Sequence, residues 1–480
     1  MVDDRDFQRR ATRTDRIVGD IAALIDNGAL KPGERVASVR RAAADQGVSK
    51  NTMAEAYDRL VASGHLVARA GSGYFVAIDA RPPSLAPRAN VAEALDLVSL
   101  LREQFEQHYE VRPGDGRPPP SWMENSELGA HFGGRKWHRG ETVEHGYGSS
   151  WGYRPLRERI AVSLGHRSIK AAPEQILLTL GANHALDLIV RQLIEPGDTV
   201  FVDDPGYYPL FGKLKLAKAR VVGIKRGMDG PCLQDLQAKL TQERPKVFFT
   251  QSLAHNPTGG GLSPAAAYGV LQAAHRHGFL IVEDDPFADI LPANAPRLAA
   301  LDQLDRVIYV GTFSKTLSAS LRVGYLAASP ALAGTLTDIK MLSVAATSQY
   351  VERFVFDLIA GGHYLRHLRR LRARIESATE AALGDLAGLG LSIQRPDGGF
   401  YLWARLPEGT DEIALCRQAA AESIFLAPGQ VFSPERDSDR NPAIRINVAH
   451  ASDQRFLDFL SRTLRSTVQR VAVHRIGNSL

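Results

Sequence analysis

Lys315 stands in the stretch GTFSKTLSASLR, residues 311–322, between the apolar runs VIYV and VGYLAA. A lysine amine that bonds covalently to a carbonyl carbon must be partly neutral near pH 7, so it needs burial or a neighbouring positive charge. The end of a strand in a closed site would provide that burial. Because a lone Ser-Lys pair is more often structural, the chemistry open to Lys315 depends on the residues that join it.

Three further residues offer groups that one aldehyde cofactor, pyridoxal phosphate, needs, and a fourth suits a substrate carboxylate. Asp284 follows the apolar run FLIV, where ligands of open α/β sheets gather, and its carboxylate can keep a ring nitrogen protonated. Asn256 in HNPTG can donate to a ring hydroxyl, and Tyr207 after Pro-Gly offers an aromatic face. Arg445 in AIRINV presents the planar guanidinium that a substrate carboxylate prefers.

A phosphate group needs backbone N–H groups at the start of a helix together with positive charge. The stretch TLGANHALDLIV predicts a strand, a glycine turn and a helix that opens with Ala182 and Asn183. Thr312 and Arg322 add donors from the lysine segment. Each of these residues has a structural alternative as a turn, a helix cap or an arginine that reaches solvent. Only their combination with Lys315 favours pyridoxal phosphate as a shared ligand.

The composition is typical of a globular protein with two or three domains. The 480 residues are 44% apolar and 23% charged, and no apolar run approaches the roughly 18 residues that a membrane span needs. The first residues carry charges of both signs and no apolar signal segment, so we expect a cytoplasmic protein without a membrane partner. Cys232 and Cys416 lie far apart and without clustered histidines, which predicts neither a disulfide nor a metal site.

Residues 15–78 predict three helices followed by a hairpin. Ser38 and Ser49 are good N-caps for the second and third helices. The short runs HLVAR and YFVAI flank AGSG, which predicts two strands joined by a tight turn. The expected order is therefore helix, helix, turn, helix, hairpin.

In a helix-turn-helix the last of these helices lies in the major groove and offers its first residues to the bases. Lys50 and Thr52 hold those positions, and Arg40 in the preceding helix suits a phosphate contact. Arg69 precedes the hairpin turn, which can approach the DNA backbone. The alternative is a docking module with solvated charges, since residues 1–78 carry only 12 lysines and arginines against 10 acidic residues.

The rest of the chain predicts a linker and an α/β domain. Prolines in DARPPSLAPRANVAEA and beyond favour a linker over residues 79–120. Within residues 121–480, short β-rich runs alternate with helical segments from about Trp137 onward, which favours a mainly parallel sheet. This large subdomain is expected to extend to about residue 360. Over residues 361–480, a long helical segment and the runs FYLWARL and AIRINVAH predict a smaller α+β subdomain.

The segment from Ile17 to Val76 resembles the winged helix-turn-helix domain of GntR-type bacterial regulators. It contains G-x-L-x-P-G-E, S-x-R, a third helix that opens with S-x-x-T, and the wing motif G-S-G-x-F-V. The resemblance implies an α+β DNA-binding domain over residues 10–78, with a double-stranded DNA operator as its partner. The residues that it assigns to DNA contact are Arg40, Lys50, Thr52, Arg69 and Gly73.

From Trp137 to Arg462 the motifs resemble, in their order, those of the fold-type I aminotransferases, α/β enzymes that use pyridoxal phosphate. The cofactor contacts implied are a Schiff base (aldimine) with Lys315, pyridine pairing by Asp284, ring stacking by Tyr207, hydroxyl donation by Asn256, and phosphate binding by Ala182, Asn183, Thr312 and Arg322. Arg445 would bind the substrate carboxylate. Tyr147 resembles the tyrosine that reaches the neighbouring subunit's phosphate, which implies a homodimer.

One position departs from the aminotransferase pattern. That family usually has a tyrosine two or three residues after the aspartate that pairs with the pyridine, and it donates to the ring hydroxyl. This chain has Phe287 there, without a hydroxyl. The departure weakens the case for efficient proton transfer and leaves most of the cofactor contacts in place.

The order of the two domains resembles the MocR/GabR class of bacterial regulators. The resemblance implies a transcription factor in which an amine or amino acid effector replaces Lys315 in its Schiff base and repositions the DNA-binding domains. It also implies a homodimer with a domain-swapped, head-to-tail arrangement. The alternative is an active aminotransferase with an appended DNA-binding module, because Lys315, Asp284 and Arg445 are all present.

Overall fold

The computed structural model describes residues 13–26, 29–69, 71–77, 99–124, 145–435 and 441–464. The chain divides into two compact units, Met1–Pro87 and Arg88–Leu480, and each is described by itself. Within the described ranges, no helix has both the length and the apolar character needed to cross a membrane.

The first unit contains three helices and a two-stranded antiparallel hairpin. Its elements are α1 (Arg13–Asp26), α2 (Val39–Asp45), α3 (Lys50–Ala62), β1 (Leu66–Arg69) and β2 (Gly73–Val76). The Ser38 hydroxyl accepts from Arg41 N–H, and the Ser49 hydroxyl accepts from Thr52 N–H at 3.1 Å. Both hydroxyls satisfy backbone donors that a helix start leaves unpaired, which confirms the two predicted N-caps.

A small apolar core joins these elements. Met53, Tyr57 and Leu60 are spaced along one face of α3 and are buried together with Ile17 of α1. The Tyr57 hydroxyl donates to the Ala37 carbonyl at 2.8 Å, so α3 is tied to the chain just before α2. The hairpin packs on the same core. The predicted order of helix, helix, turn, helix and hairpin is confirmed.

The second unit contains two sheets with helices packed against them. Its helices are α4 (Ser99–Glu106), α5 (Arg154–His166), α6 (Ala182–Leu193), α7 (Tyr208–Leu216), α8 (Leu233–Gln242), α9 (Pro264–His277), α10 (Leu298–Asp302), α11 (Pro330–Val344), α12 (Gln349–Ala360), α13 (His363–Leu386) and α14 (Glu412–Ala421). Its strands are β3 (Ile176–Thr179), β4 (Thr199–Asp204), β5 (Arg220–Gly227), β6 (Gly230–Pro231), β7 (Val247–Thr250), β8 (Leu280–Asp285), β9 (Val307–Thr312), β10 (Gly324–Ala327), β11 (Ser392–Ile393), β12 (Tyr401–Arg405), β13 (Ala427–Pro428) and β14 (Ala443–Asn447). Single turns of 3-10 helix span Pro120–Trp122, Pro173–Gln175, Ala319–Leu321, Gly429–Phe432 and Val448–His450, and residues 454–464 are also helical.

The larger sheet has the strand order β3-β10-β9-β8-β7-β4-β5-β6. Strands β9, β8, β7, β4 and β5 pair in parallel, and β10 runs antiparallel between β3 and β9. The central strands are buried on both faces, which explains why they appear in the sequence as unbroken apolar runs. The sheet is therefore mixed, and the carboxyl ends of its parallel strands lie along one edge.

The smaller sheet is antiparallel, with the order β11-β12-β14-β13. Leu386 of α13 is buried with Leu402 of β12 and Ile444 of β14. These elements form the predicted α+β subdomain.

Residues Val111–Arg117, called the strap below, contact the smaller sheet. The Val111 N–H donates to the Ser423 carbonyl at 3.1 Å, and the Phe425 N–H donates to the Val111 carbonyl at 2.8 Å. Val111 is also buried in the core of the smaller subdomain. The strap lies in the segment 79–120 that the sequence predicts as linker, and the domain boundaries stay a prediction.

Candidate functional site

Lys315 lies in the turn that follows β9, at the carboxyl edge of the larger sheet. Its Nζ donates to the Gly116 carbonyl of the strap at 2.5 Å. Burial, reinforced by the Arg445 guanidinium, lowers the pKa of the Lys315 amine to about 8. A fraction of the amine is therefore neutral near pH 7, as covalent attack on a carbonyl requires.

Asp284 lies near the end of β8, the strand beside β9. Its Oδ2 accepts from Gln251 Nε2 at 2.7 Å, whereas its buried Oδ1 has no hydrogen-bond partner among the described residues. Burial raises the pKa of the Asp284 carboxyl to about 7. A buried carboxylate oxygen without a partner is costly, so a cationic N–H donor would be bound strongly at this position.

Gln251 is a residue of this site that the sequence did not identify. Its Oε1 accepts from the Asn256 backbone N–H at 2.7 Å while its Nε2 donates to Asp284. The amide therefore fixes Asn256 and Asp284 relative to each other. Its place directly after β7 was the one available signal, because the connection to Asp284 is made between two strands.

Arg445 is buried on β14 of the smaller sheet. Its Nη1 donates to Asn256 Oδ1 at 2.9 Å and its Nη2 to the Gly114 carbonyl at 2.8 Å, whereas its buried Nε has no partner in the part of the chain that the structure describes. The guanidinium carbon lies 4.8 Å from the centre of the Tyr401 ring and 5.0 Å from that of Phe432. The two rings and the amide hold the guanidinium in one orientation, with a donor left for an anion.

Ala182 and Asn183 open helix α6 directly after Gly181, whose φ is +75°. A Cβ at Gly181 would lie 2.7 Å from Arg322 Nη2, and a Cβ at Gly324 would lie 2.6 Å from the Gly181 carbonyl carbon. Both glycines are thus required for the close approach of three segments at this helix start. The approach brings the Arg322 cation beside the N–H groups of α6, which is an arrangement suited to a phosphate.

Thr312 and Ser314 add hydroxyl groups near Arg322. The Thr312 hydroxyl lies 3.0 Å from Ser314 Oγ, and Arg322 Nη1 donates to Ser314 Oγ at 3.4 Å. Ser314 was not among the predicted residues, although its hydroxyl directly before Lys315 was a signal. The structure brings the predicted Thr312 and Arg322 together through it.

Tyr207 directly precedes helix α7 and lines a cavity together with Asp284, Gln251 and His255. Burial, reinforced by the Asp284 charge, raises the pKa of the Tyr207 hydroxyl, so the phenol is neutral. The residue predicted to cover a cofactor ring and the residue predicted to pair with its nitrogen therefore share one cavity.

Tyr147 and Phe287 have contrasting surroundings. Tyr147 is 85% exposed, so its predicted contact with a neighbouring subunit stays a prediction. Phe287 is fully buried, and its ring centre lies 5.4 Å from that of Phe400 and 5.7 Å from that of Tyr401. The phenylalanine therefore has a packing role beside the site.

The helix residues predicted to contact DNA lie at the surface of the first unit. Arg40 near the start of α2 and Lys50 at the start of α3 are exposed, and Thr52 is partly exposed. The Thr52 hydroxyl lies 2.8 Å from Ser49 Oγ, so part of its hydrogen-bonding capacity serves the helix cap.

Arg69 and Gly73 belong to the hairpin. The Arg69 guanidinium carbon lies 4.5 Å from the centre of the Phe75 ring, which holds this exposed arginine along the hairpin. Gly73 has a φ of +96°, a conformation that favours glycine and closes the turn.

One group outside this site has side chains of the kind that bind metals. In the described part of the chain, ligand atoms of His275, Asp302 and Asp305 lie within 4.8 Å of one another. Arg306 Nε donates to His275 Nδ1 at 3.2 Å, and the Arg306 N–H donates to Asp302 Oδ2 at 2.7 Å. These bonds leave the proton of a neutral His275 on Nε2 and place a cation beside the group, which favours a role in the turn before β9.

Two family models cover most of the chain. Residues 13–76 match the bacterial regulatory proteins of the gntR family, and residues 110–462 match the class I and II aminotransferases. The described elements of the first unit lie within residues 13–76, and the site residues of the second unit lie within residues 110–462.

Some similar proteins match both domains, and others match the aminotransferase-like domain alone. The probable rhizopine catabolism regulatory protein MocR of Rhizobium meliloti is 30% identical, over 85% of this chain and 84% of its own length. The HTH-type transcriptional regulator TauR of Rhodobacter capsulatus is 29% identical, over 86% of this chain and 88% of its own. The crystal structure of LysN, an alpha-aminoadipate aminotransferase of Thermus thermophilus, is 27% identical with a TM-score of 0.68, over 78% of this chain and 97% of that one. The chain therefore belongs to the MocR-type transcriptional regulators, in which a GntR-family helix-turn-helix domain is fused to a class I and II aminotransferase domain.

Proposed function

We propose that this regulator binds pyridoxal phosphate through Lys315 and uses it to sense an amine or amino acid effector. The observation that carries the proposal is that a lysine amine of lowered pKa interacts electrostatically with Asp284, one of whose buried oxygens has no partner among the residues that the structure describes. An aldehyde and a protonated ring nitrogen in one molecule would satisfy both residues.

The remaining donors of the site fit the same cofactor. Tyr207 would cover a face of the ring, and Asn256 would meet its hydroxyl group. The phosphate would bind Ala182, Asn183, Thr312 and Arg322. Bound pyridoxal phosphate would supply an aldehyde carbon, with which the Lys315 amine, or another primary amine in its place, could react.

Arg445 supports an effector that carries a carboxylate as well as an amine. Its guanidinium is buried against two aromatic rings, and its Nε has no partner within the described ranges. In such surroundings a planar anion gains strong, oriented hydrogen bonds. The solved structure of LysN holds N-(5'-phosphopyridoxyl)-L-leucine, so that relative accommodates a cofactor joined to an amino acid.

The partners proposed are operator DNA and a second copy of the chain. Lys50 and Thr52 at the start of α3 would meet base edges, while Arg40 and Arg69 would meet phosphates. Tyr147 is 85% exposed and Leu342 is 92% exposed, which supports their burial in a homodimer. A domain-swapped arrangement of that dimer is part of the proposal.

Two measurements test the sensor function. With pyridoxal phosphate added, the wild type should gain a visible absorption band that borohydride fixes covalently, and Lys315→Ala should lack the fixed adduct. The loaded wild type should also retard DNA from upstream of its own gene, and an effector amino acid should change that affinity. A covalent adduct that persists in Lys315→Ala, or DNA binding indifferent to sequence and cofactor, contradicts the proposal.

A second candidate function is aminotransferase activity. Lys315, Asp284 and Arg445 form one connected site, which favours it, whereas the buried phenyl ring of Phe287 supplies no hydroxyl for proton transfer. Purified protein incubated with an amino donor and 2-oxoglutarate should stop after about one equivalent per subunit if the site is a sensor. Many turnovers would establish an enzyme.

A further inference from the structure

Tyr401 is a buried residue of the site whose ring contacts Arg445 and whose hydroxyl has had no role so far. It opens β12, and its side chain is 1% exposed. Its hydroxyl donates to the Gly116 carbonyl at 2.9 Å, and the Lys315 amine donates to the same oxygen at 2.5 Å. A carbonyl oxygen has two lone pairs and can accept both bonds. The phenol and the amine are therefore neighbours on a single acceptor.

The Tyr401 ring is held rigidly in this position. The Phe287 ring packs edge-to-face against it with centres 5.7 Å apart, and the Arg445 guanidinium carbon lies 4.8 Å from its centre. Phe287, which has no hydroxyl, thus supports the ring of Tyr401, which has one. Burial raises the pKa of Tyr401 to about 12, so its hydroxyl keeps its proton and acts as a donor near neutral pH.

We propose that Tyr401 is a positioning residue of the site. It donates to the same Gly116 carbonyl as Lys315 and thereby weakens the hydrogen bond between that carbonyl and the lysine ammonium. Gly116 remains bonded to Tyr401 when the Lys315 amine moves to the cofactor, so the strap keeps its anchor. The inference rests on the proposed function, because it concerns how readily Lys315 reacts with pyridoxal phosphate.

The direction of the effect follows from the shared acceptor. A hydrogen bond from the ammonium to Gly116 stabilises the charged form of Lys315, and the competing Tyr401 donor reduces that stabilisation. Removal of the hydroxyl should therefore raise the pKa of the lysine. The charged groups that face Lys315 are Arg445 and Arg117, which lower its pKa, and Asp115 and Asp284, which raise it. Tyr401→Phe changes none of these charges.

The experiment measures how fast pyridoxal phosphate combines with the cofactor-free full-length protein as a function of pH. The rate should rise with pH as Lys315 loses its proton and then reach a plateau. In Tyr401→Phe the midpoint should move upward by about half a pH unit or more, which makes the reaction about three-fold slower at pH 7. The plateau rate should match that of the wild type, because the neutral amine is unaffected.

Tyr325→Phe is the matched control. It removes another buried phenol hydroxyl from the same unit, one that interacts with Arg167 and does not contact Lys315. Its midpoint should equal that of the wild type. Both variants should remain folded, because both substitutions keep the aromatic ring. Thermal unfolding of all three proteins checks this expectation.

Three outcomes are decisive. An unchanged midpoint in Tyr401→Phe overturns the inference and leaves the proposed function standing, because the wild type still combines with the cofactor. A lower plateau with an unchanged midpoint also overturns it, since that result reports a general structural defect. If the wild type does not combine with pyridoxal phosphate at Lys315, the proposed function and the inference fall together.

Discussion

Asp284 has a raised pKa and an oxygen without a hydrogen-bond partner among the described residues. Its ionised carboxylate should therefore lower the stability of the cofactor-free protein and favour the binding of a cofactor with a protonated nitrogen. Its carboxyl keeps a proton up to about pH 7 in the folded chain. An unfolded aspartate loses that proton near pH 4. The folded state therefore binds the extra proton between these values, so the stability that this group contributes at low pH is lost as the pH rises toward 7.

Asp284→Asn should separate these consequences. The cofactor-free variant should unfold at a higher temperature than the wild type at pH 7, with the difference vanishing near pH 4, because the amide does not ionise. Its affinity for pyridoxal phosphate should fall about 100-fold, since a buried charge pair would be lost. Calorimetry and cofactor titration provide the two measurements. Asp357→Asn, at an exposed carboxylate on α12, should change neither quantity.

Each residue that was predicted from the sequence lies in a short motif that indicates its role. Lys315, Asp284 and Asn256 stand in short motifs at strand ends, so their grouping follows from a parallel sheet. Gln251 and Tyr401 were not predicted, because their roles arise from contacts between segments that are distant in the sequence. A backbone carbonyl such as that of Gly116 gives no sequence signal at all.

At the scale of elements, the strap accepts hydrogen bonds from both cations of the site, Lys315, which the proposal assigns to the cofactor, and Arg445, which it assigns to the effector. The Gly114 carbonyl accepts from Arg445, and the Gly116 carbonyl accepts from Lys315. Its one proline and two glycines are typical of a linker, whereas its backbone pairs with the smaller sheet. Composition predicts how flexible a segment is in isolation. Here the hydrogen bonds to the smaller sheet hold the strap in one conformation. An effector carboxylate on Arg445 would compete with this carbonyl.

Gly114→Ala should therefore release the strap. A Cβ at Gly114 would lie 2.6 Å from Ala427 N and 2.7 Å from the Leu426 carbonyl carbon, so backbone must move. We expect a loss of about 1–3 kcal/mol in the free energy of unfolding and faster hydrogen exchange across residues 111–117. Gly165→Ala in α5, where nothing lies within 4 Å of the new Cβ, is the control and should be neutral or stabilising. Slow exchange of the strap in Gly114→Ala would show that it relaxes without release.

The exposed start of α3 leads to a prediction about DNA. Lys50→Ala should weaken binding to operator fragments and relax the preference at one base pair of the site, because the proposal places the ammonium at a base edge. A uniform loss across sequences, with the slope of log affinity against log salt lower by about one, would instead indicate a phosphate contact. Lys170→Ala, an exposed lysine of the second unit, should leave both affinity and slope unchanged. Fluorescence anisotropy over a salt series measures both.

At the scale of the whole molecule, one chain joins a GntR-family helix-turn-helix domain to an aminotransferase-like domain. The first unit has an α3 surface but a thin excess of positive charge, and a single helix-turn-helix of this size binds DNA weakly. A pair of such units on one dimer gains effective concentration, which raises the overall affinity by a factor of about 100 to 10,000. Specific binding by this chain should therefore depend on dimerisation through the second unit.

Leu342→Asp tests that dependence. Leu342 lies on α11 and is 92% exposed, a cost that burial in a dimer would remove. A buried, unpaired carboxylate should drive the variant to a monomer at micromolar concentration in analytical ultracentrifugation and reduce operator affinity at least 100-fold. Leu301→Asp on α10, at a leucine that is 60% exposed, should stay dimeric and bind as the wild type does. If the Leu342→Asp protein stayed dimeric, the dimer interface would not include Leu342. If it were monomeric with unchanged operator affinity, one helix-turn-helix would suffice for specific DNA binding.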